Sequence, residues 1–320
     1  MQNESFDSLS RIAAALERIA DALQSSPNRE PFVSADVSAD VSADAVIESL
    51  ADLGDARSEV IEPHNAEEVE AFLATHQIKI KTLRLTTPAD NVIDGLSLFL
   101  GERFHALRGI LNKIKRSMQA GDQFSESLAG LTQTDVSSVC QFCTRLHAIA
   151  FLEQYKYFRS PQYLIRAKAT TLPAAQAFFG GQWLERFTLQ KLTDAHTTSQ
   201  VEFGGPIRFS YLINPQIILP NGDDFELDII SVVNGRAFWI EAKSGDYQQH
   251  VRKYSKLAQL MGLDKDHAIM MLADISTDRC AALSSLFNMT VVSLDTFSPH
   301  VQRVIDADAK QIAEKALLSE

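Results

Sequence analysis

The segment from Asn221 to Lys243 constrains the fold more than any other part of this chain. Residues 225–233 form an apolar run that is typical of a β-strand, and residues 236–243 form a second one. Asn234-Gly235 stands between them, and this dipeptide is the strongest short signal for a two-residue β-hairpin. The sequence therefore predicts two antiparallel strands joined by a tight turn.

The predicted hairpin gathers three charged side chains. Successive residues of a strand point to opposite faces, so Glu241 and Lys243 share one face and Ala242 points away, while the turn brings Asp228 close to Glu241. Two carboxylates beside an ammonium suit a hard cation such as Mg²⁺, which takes oxygen ligands and keeps waters or phosphate. Lys243 would orient or deprotonate a water, or offset charge on phosphorus. The pattern indicates phosphodiester hydrolysis, with cross-strand charge pairs on a half-exposed sheet as the alternative.

Three short motifs, at residues 180–185, 225–228 and 239–244, read GGQWLE, FELD and WIEAKS. Together they resemble the PD-(D/E)xK nuclease superfamily, and most of all the nuclease domains of CRISPR ancillary effectors that cyclic oligoadenylate activates. The resemblance covers about residues 178–297. Phe225 stands where the family usually has Asn, and Ala242 stands where Cys is frequent. Neither position is a ligand, so these departures bear on the subfamily more than on the chemistry.

The resemblance implies a role for four residues. Glu185 would be the helix-borne acid, Asp228 the central metal ligand, Glu241 the second ligand and Lys243 the catalytic lysine. Mg²⁺ or Mn²⁺ would be held by Glu185, Asp228 and Glu241. A solvated helix carboxylate is the alternative for Glu185, although the apolar pattern of residues 182–192 places it near the buried side of a helix.

The elements around these motifs predict an α/β fold in which helices flank a restriction-endonuclease-like mixed sheet. Residues 251–261 are predicted as a helix that ends at Gly262, and residues 268–273 and 289–294 as buried strands. Lys253 and Lys256 would lie on that helix near the site. A solvated basic helix face explains them best, and contact with phosphates of a nucleic acid is the alternative.

The middle of the chain is predicted to be mainly helical and winged-helix-like. Helices are expected at residues 96–118, 124–131 and 136–151, the last capped at Thr134-Asp135, followed by a hairpin over residues 154–168 that turns at residues 159–161. Residues 102–168 contain ten basic and five acidic residues, which is the sign expected of a module that faces phosphate. Arg159 and Arg166 are its candidate nucleic-acid contacts. A module for dimerisation or a rigid spacer is the alternative.

The N-terminal part differs in composition from the rest. Apolar residues at heptad-like spacing predict a coiled-coil-like helix over residues 1–24, which would make the chain a homo-oligomer through residues 6–23. A helix packed on its own domain is the alternative. Residues 25–44 contain three Val-Ser-Ala-Asp repeats and are predicted to be a flexible linker. A domain over residues 45–172, including a helix at 66–75 and a strand at 78–85, and a nuclease domain over residues 173–320 complete the predicted organisation.

The charge distribution permits a nucleic-acid partner. The net charge is −11, but residues 1–76 contribute −12 and residues 77–320 contribute +1, so the larger part can approach phosphate without strong repulsion. We expect DNA to be favoured over RNA.

Cysteine content and hydropathy bear on location. Three cysteines provide no disulfide framework, and Cys140 and Cys143, on a predicted helix, lack the second pair of a zinc site. No signal peptide or membrane-spanning run is recognised, so we expect a cytoplasmic protein without a membrane partner.

The sequence as a whole predicts a metal-dependent endonuclease, and the resemblance implies bacterial defence against phage or plasmids. Nucleases of the resembling group usually carry a nucleotide-sensing Rossmann-like domain ahead of the nuclease domain. No glycine-rich strand-to-helix turn in this sequence indicates such a domain. We therefore expect activation by a protein partner or by assembly. Two alternatives are a non-catalytic DNA-binding regulator and a subunit recruited to a larger defence complex.

Overall fold

A computed structural model describes residues 66–84, 87, 89–203, 208–245 and 247–317. The predicted oligomerising helix over residues 1–24, the linker over residues 25–44 and the end of the strand at residues 78–85 lie outside this description. Along the chain the elements are α1 (Glu67–Thr75), β1 (Lys79–Thr82), α2 (Asp90–Glu102), α3 (Phe104–Ala120), β2 (Phe124–Ser127), α4 (Gln133–Ala148), β3 (Leu152–Phe158), β4 (Leu164–Ala169), α5 (Pro173–Ala177), a π-helical turn (Phe178–Gln182), α6 (Trp183–Phe203), β5 (Phe209–Ile213), β6 (Gln216–Ile218), β7 (Asp224–Glu226), β8 (Ile229–Val233), β9 (Arg236–Lys243), α7 (Val251–Leu260), β10 (Ala268–Leu272), α8 (Thr277–Leu286), β11 (Thr290–Ser293) and α9 (Leu294–Leu317).

A five-stranded mixed sheet forms the centre, in the order β11-β10-β9-β8-β5. β9, β10 and β11 are parallel, whereas β8 pairs antiparallel with both β9 and β5. The predicted hairpin is confirmed: Val233 pairs with Arg236, and Asn234 and Gly235 adopt φ angles of 48° and 79°. Positive φ at both central residues is what a type I′ turn requires. The predicted mixed α/β sheet is therefore confirmed.

The strand predicted over residues 225–233 is wrong as a single element. Its first part is β7, which pairs with β6 in a separate three-stranded sheet of order β1-β6-β7, and its second part is β8 of the central sheet. Between them, the Leu227 N–H donates to the Pro215 carbonyl at 3.2 Å, and the Asp228 carbonyl accepts from the Asn214 N–H at 2.9 Å. Asp228 thus lies where the chain passes from one sheet to another.

Helices cover both faces of the central sheet because its strands are apolar on both sides. One face packs with α6 and α9, through residues such as Phe238, Ile240 and Phe297. The other face packs with α1 and α7, through Trp239, Val69 and Tyr254. Burial of both faces is what parallel strands with continuous apolar runs require.

The middle of the chain requires three corrections. The helix predicted over residues 96–118 is two helices, α2 and α3, which meet at Arg103. Residues 124–127 form strand β2 rather than part of a helix, because alternate side chains of this segment are half-buried and its backbone pairs with β4. The cap of α4 is Thr132 rather than Thr134-Asp135: the Thr132 hydroxyl oxygen accepts from the Asp135 N–H at 3.1 Å.

The predicted hairpin in this region is confirmed as β3 and β4, which form a three-stranded sheet of order β2-β4-β3. One continuous hydrophobic cluster joins this part to the central sheet and includes Phe142, Trp183 and Phe238. The Phe104 ring stacks on Trp183 with 5.6 Å between centroids. The boundary at residues 172–173 stays a prediction about independent folding. Within the described ranges, no helix has the length and apolar character needed to span a bilayer.

Candidate active site

Lys243 lies between two buried carboxylates. Its Nζ is 2.8 Å from Asp228 Oδ2 and 3.0 Å from Glu241 Oε2. Asp228 is 4% exposed and Glu241 is 1% exposed, so both carboxylates are removed from bulk water. The predicted approach of Asp228 to Glu241 and the shared face of Glu241 and Lys243 are both present in the structure.

Each carboxylate is held by further donors. The Ala242 N–H donates to Asp228 Oδ2 at 2.8 Å, and the Trp239 indole N–H donates to Glu241 Oε1 at 3.2 Å. These bonds follow from the strand: Trp239 and Glu241 lie on the same face of β9, and Ala242 presents its backbone to the segment that enters β8. Hydrogen bonds of this kind satisfy buried charged oxygens that would otherwise be costly to bury.

The electrostatics of this group show a shortage of positive charge. Burial raises the pKa of Glu241, and the Asp228 carboxylate raises it further, in spite of the adjacent ammonium. Burial lowers the pKa of Lys243, but Glu241 and Asp228 outweigh that effect and hold it above its usual value. Lys243 is therefore charged, and the raised pKa of Glu241 means that one ammonium does not fully offset the burial of two carboxyl groups.

Glu185 lies in the first turn of α6 and faces the same region from another element. Asn214 donates from Nδ2 to Glu185 Oε2 at 2.8 Å. Burial, and then the Asp228 charge, raise the pKa of Glu185 to about 7. The structure thus brings Glu185 near Asp228 without placing it in the hydrogen-bonded group around Lys243.

A pocket of about 340 Å³ opens beside Glu185 and Asn214. Arg84 and the Gly180-Gly181 segment also line it. Gly181 has a φ of 158°, and a Cβ atom there would lie 3.9 Å from Glu185 Oε1. The volume of this pocket is at the lower end of the range typical of ligand pockets.

The donor set fits a hard divalent cation. Asp228 and Glu241 provide carboxylate oxygens, and Lys243 occupies the position of a positive charge between them. In the described part of the chain, no three His, Cys, Asp or Glu side chains surround one common point. Mg²⁺ is commonly held by one or two carboxylates together with waters and phosphate, so two protein carboxylates suffice. Glu185 as a third ligand stays a prediction.

Sequence reasoning missed two residues of this region. Asn214 follows β5, a short strand that was not predicted, and its polar side chain gave no signal before the neighbouring strands were known. Tyr254 lies on the predicted helix α7, and Lys243 Nζ is 5.8 Å from its ring centroid. Burial and then Glu241 raise the pKa of the Tyr254 hydroxyl. The apolar spacing of the helix explained Tyr254 as a core residue and concealed its proximity to the lysine.

The predicted nucleic-acid contacts lie in two places. Lys253 and Lys256 are exposed on α7, and Lys253 Nζ is 4.3 Å from the Phe225 ring centroid. Arg159 follows β3 and Arg166 lies in β4, so both belong to the β2-β4-β3 sheet rather than to the carboxylate group. Their contact with nucleic acid stays a prediction.

The two helical cysteines have the environment of packed thiols. Cys143 is buried and Cys140 is half-buried on α4. Burial, followed by the proximity of Cys140, raises the pKa of Cys143. A raised pKa favours the inert thiol over the thiolate that binds metals.

Two solved structures share features of this fold. Protein VC1899 from Vibrio cholerae is 17% identical, and Can2 from Sulfobacillus thermosulfidooxidans, in complex with cyclic tetra-adenylate, is 13% identical. The TM-score is 0.47 in both cases. Each comparison covers 74% of this chain and only 60% of the other. No family model matches the chain, and no curated protein matches it by sequence. At this similarity the likeness carries no inference about function.

Proposed function

We propose that this protein is a metal-dependent nuclease that hydrolyses phosphodiester bonds, with DNA favoured over RNA. The observation that supports this is the position of Lys243 Nζ, 2.8 Å from Asp228 and 3.0 Å from Glu241, at the end of a buried strand. Two carboxylates for a hard cation, with a fixed ammonium beside them, are the groups that phosphodiester hydrolysis needs.

Asp228 and Glu241 would hold Mg²⁺ or Mn²⁺. A cation bound there supplies Lewis-acid polarisation of a phosphate oxygen and activation of a water. Lys243 orients the attacking water or places positive charge beside the phosphorus, where negative charge develops in the transition state. Trp239 and the Ala242 N–H keep both carboxylates in position through the hydrogen bonds described above.

Glu185 would complete the site from α6, as a ligand or as a group that positions water. Its carboxylate borders the pocket, so a nucleotide next to the scissile phosphate would have space there. Arg84 also lines that pocket, and its guanidinium is paired with Asp90 at 2.8 Å. A defence role against phage or plasmids, with activation by a protein partner or by assembly, is proposed from the motif resemblance.

The experiment is a cleavage assay on supercoiled plasmid, linear duplex, single-stranded DNA and RNA with Mg²⁺ or Mn²⁺. Wild type is compared with Asp228→Asn and Lys243→Ala, and with the controls Asp224→Asn and Lys310→Ala, which remove exposed charges of the same type elsewhere. Cleavage by wild type and controls, but not by the two site variants, supports the proposal and identifies the substrate.

Two other outcomes point to the alternatives. Binding of DNA without cleavage under any condition would favour the non-catalytic regulator. Binding of Mn²⁺ without turnover, followed by turnover when a partner protein is added, would favour a subunit of a larger defence complex.

A further inference from the structure

The exposed face of the β2-β4-β3 sheet carries two positive charges around one aromatic ring. Lys156 pairs directly with Arg166 across β3 and β4, and Phe158 is two residues further along β3 on the same face. Lys156 Nζ and Arg166 Cζ each lie 5.3 Å from the Phe158 ring centroid. Both cations are therefore within the range of a cation–π contact with the same ring.

The two cations have no acidic partner on this face. Neither Lys156 nor Arg166 forms an ion pair with a carboxylate in the described part of the chain, whereas Lys168, on the same face, pairs with Glu153 at 2.8 Å. Like charges directly opposite each other destabilise a sheet. Binding of a polyanion to this exposed face would reduce the repulsion between Lys156 and Arg166.

The chemistry of the patch favours nucleic acid among polyanions. Two exposed cations can bind phosphates, and the half-buried Phe158 ring beside them is a group on which an unpaired base can stack. Arg159, which is exposed directly after β3, adds a third positive charge to this part of the chain. An acidic protein would use the charges but would have no need of the ring.

We propose that the exposed β3–β4 face, through Lys156, Arg166 and Phe158, binds the phosphate backbone of nucleic acid outside the site of cleavage. This inference rests on the proposed nuclease function for the identity of the polyanion and deepens it. This face would bind one stretch of the nucleic acid, while the carboxylate site would cleave another stretch of the same molecule. Bases stack on Phe158 only where they are unpaired, so a single strand makes one contact more than a duplex does.

The test measures binding rather than cleavage. The full chain carrying Asp228→Asn is titrated in EDTA against a fluorescein-labelled single-stranded DNA, the matching duplex and the RNA of the same sequence, at several salt concentrations. Lys156→Gln combined with Arg166→Gln should weaken binding to all three. The slope of log affinity against log salt should fall by about 1.4 for a single strand and about 1.8 for duplex DNA.

Three further variants sharpen the test. Phe158→Leu should lower affinity for the single strand roughly fivefold or more and leave duplex binding unchanged. Lys156→Arg combined with Arg166→Lys keeps both charges and should bind as the parent does. Lys310→Gln combined with Lys315→Gln removes two exposed lysines of α9 and should leave affinity and salt slope unchanged.

The inference is overturned if the Lys156/Arg166 glutamine variant and the α9 control bind with equal affinity and slope. It fails separately from the proposed function, because cleavage is measured in another assay. If the protein cleaves DNA but the glutamine variant binds as the parent does, the proposed binding face is wrong and the nuclease proposal stands. If binding depends on Lys156 and Arg166 but the wild-type protein never cleaves, the nuclease proposal is wrong and the binding face stands.

Discussion

Asn214 connects two of the acidic residues of the candidate site. Its side-chain amide donates to Glu185 Oε2 at 2.8 Å, and its backbone N–H donates to the Asp228 carbonyl at 2.9 Å. Its φ of 51° lies in the left-handed region, which Asn tolerates better than most residues. One residue thus sets the orientation of the helix-borne acid and fixes the segment that carries Asp228.

This relationship predicts that Asn214→Gly lowers the rate of Mn²⁺-dependent plasmid cleavage by roughly 10- to 100-fold, the range typical of partners that orient ligands. Glycine accepts the positive φ, so the backbone bond to Asp228 is kept and only the amide donor is lost. Asn214→Asp should be at least as damaging because it places a carboxylate against Glu185.

Asn234→Gly is the matched control for that variant. Asn234 also has a positive φ, of 48°, and its side-chain oxygen accepts from the Arg208 N–H at 3.0 Å, but it lies in the hairpin turn. Its substitution should leave the cleavage rate unchanged. Equal rates for Asn214→Gly and Asn234→Gly would show that Asn214 has no positioning role.

A buried ion pair joins α6 to α2. Arg186 is 4% exposed. Its Nη2 lies 2.7 Å from Asp90 Oδ1, and its Nη1 contacts the Asp94 carboxylate. Removing Arg186 takes this cation from the partly exposed Asp94, whereas Asp90 keeps its ion pair with Arg84 at 2.8 Å. Arg186→Leu should therefore lower the free energy of unfolding by about 1–3 kcal/mol, measured by urea denaturation.

The control is Arg303→Leu, which breaks an exposed pair with Asp266. Exposed pairs contribute about 1 kcal/mol or less, so this variant should unfold close to wild type. A similar loss of stability in both variants would contradict the proposed importance of burial for the Arg186 pair.

His267 is a buried histidine with a carboxylate on each ring nitrogen. Nδ1 is 2.7 Å from Asp264 Oδ1, and Nε2 is 2.8 Å from Asp308 Oδ2. Burial lowers the pKa of His267, but the hydrogen bonds to Asp308 and Asp264 outweigh burial and raise it above 6.5. Because the folded pKa exceeds the unfolded one, this stabilisation is complete below about pH 6.5 and is lost as pH rises through the folded value.

The difference in melting temperature between wild type and His267→Gln should therefore be largest in mildly acidic buffer and should shrink as the pH rises above neutrality. Thermal unfolding of both proteins across this pH range measures it. A difference that grows with pH would mean that the neutral imidazole, rather than the charged one, is the stabilising form.

The sequence allowed the hairpin, the shared face of Glu241 and Lys243 and the mixed sheet to be predicted, because each depends on local signals: a two-residue turn and a period of two. The transition at Asp228 from one sheet to the other was not predictable in this way, since it depends on which distant strands pair with β7 and β8. Asn214 was missed for the same reason.

Other errors arose where two local patterns compete. Residues 124–127 alternate in burial only because β4 lies beside them, and their neighbours also satisfy a helical pattern. The helix expected over residues 96–118 has continuous apolar periodicity across Arg103, so its interruption into α2 and α3 depends on tertiary packing.

The role of Asp228 in cleavage is tested most directly by the single-turnover rate of DNA cleavage in Mg²⁺ for Asp228→Asn compared with Asp224→Asn. The two substitutions remove one carboxylate charge each, four residues apart, from a buried and an exposed position. The rate should fall by at least about 100-fold in Asp228→Asn and stay unchanged in Asp224→Asn. Cleavage by Asp228→Asn at the rate of Asp224→Asn would contradict the assignment of the active site.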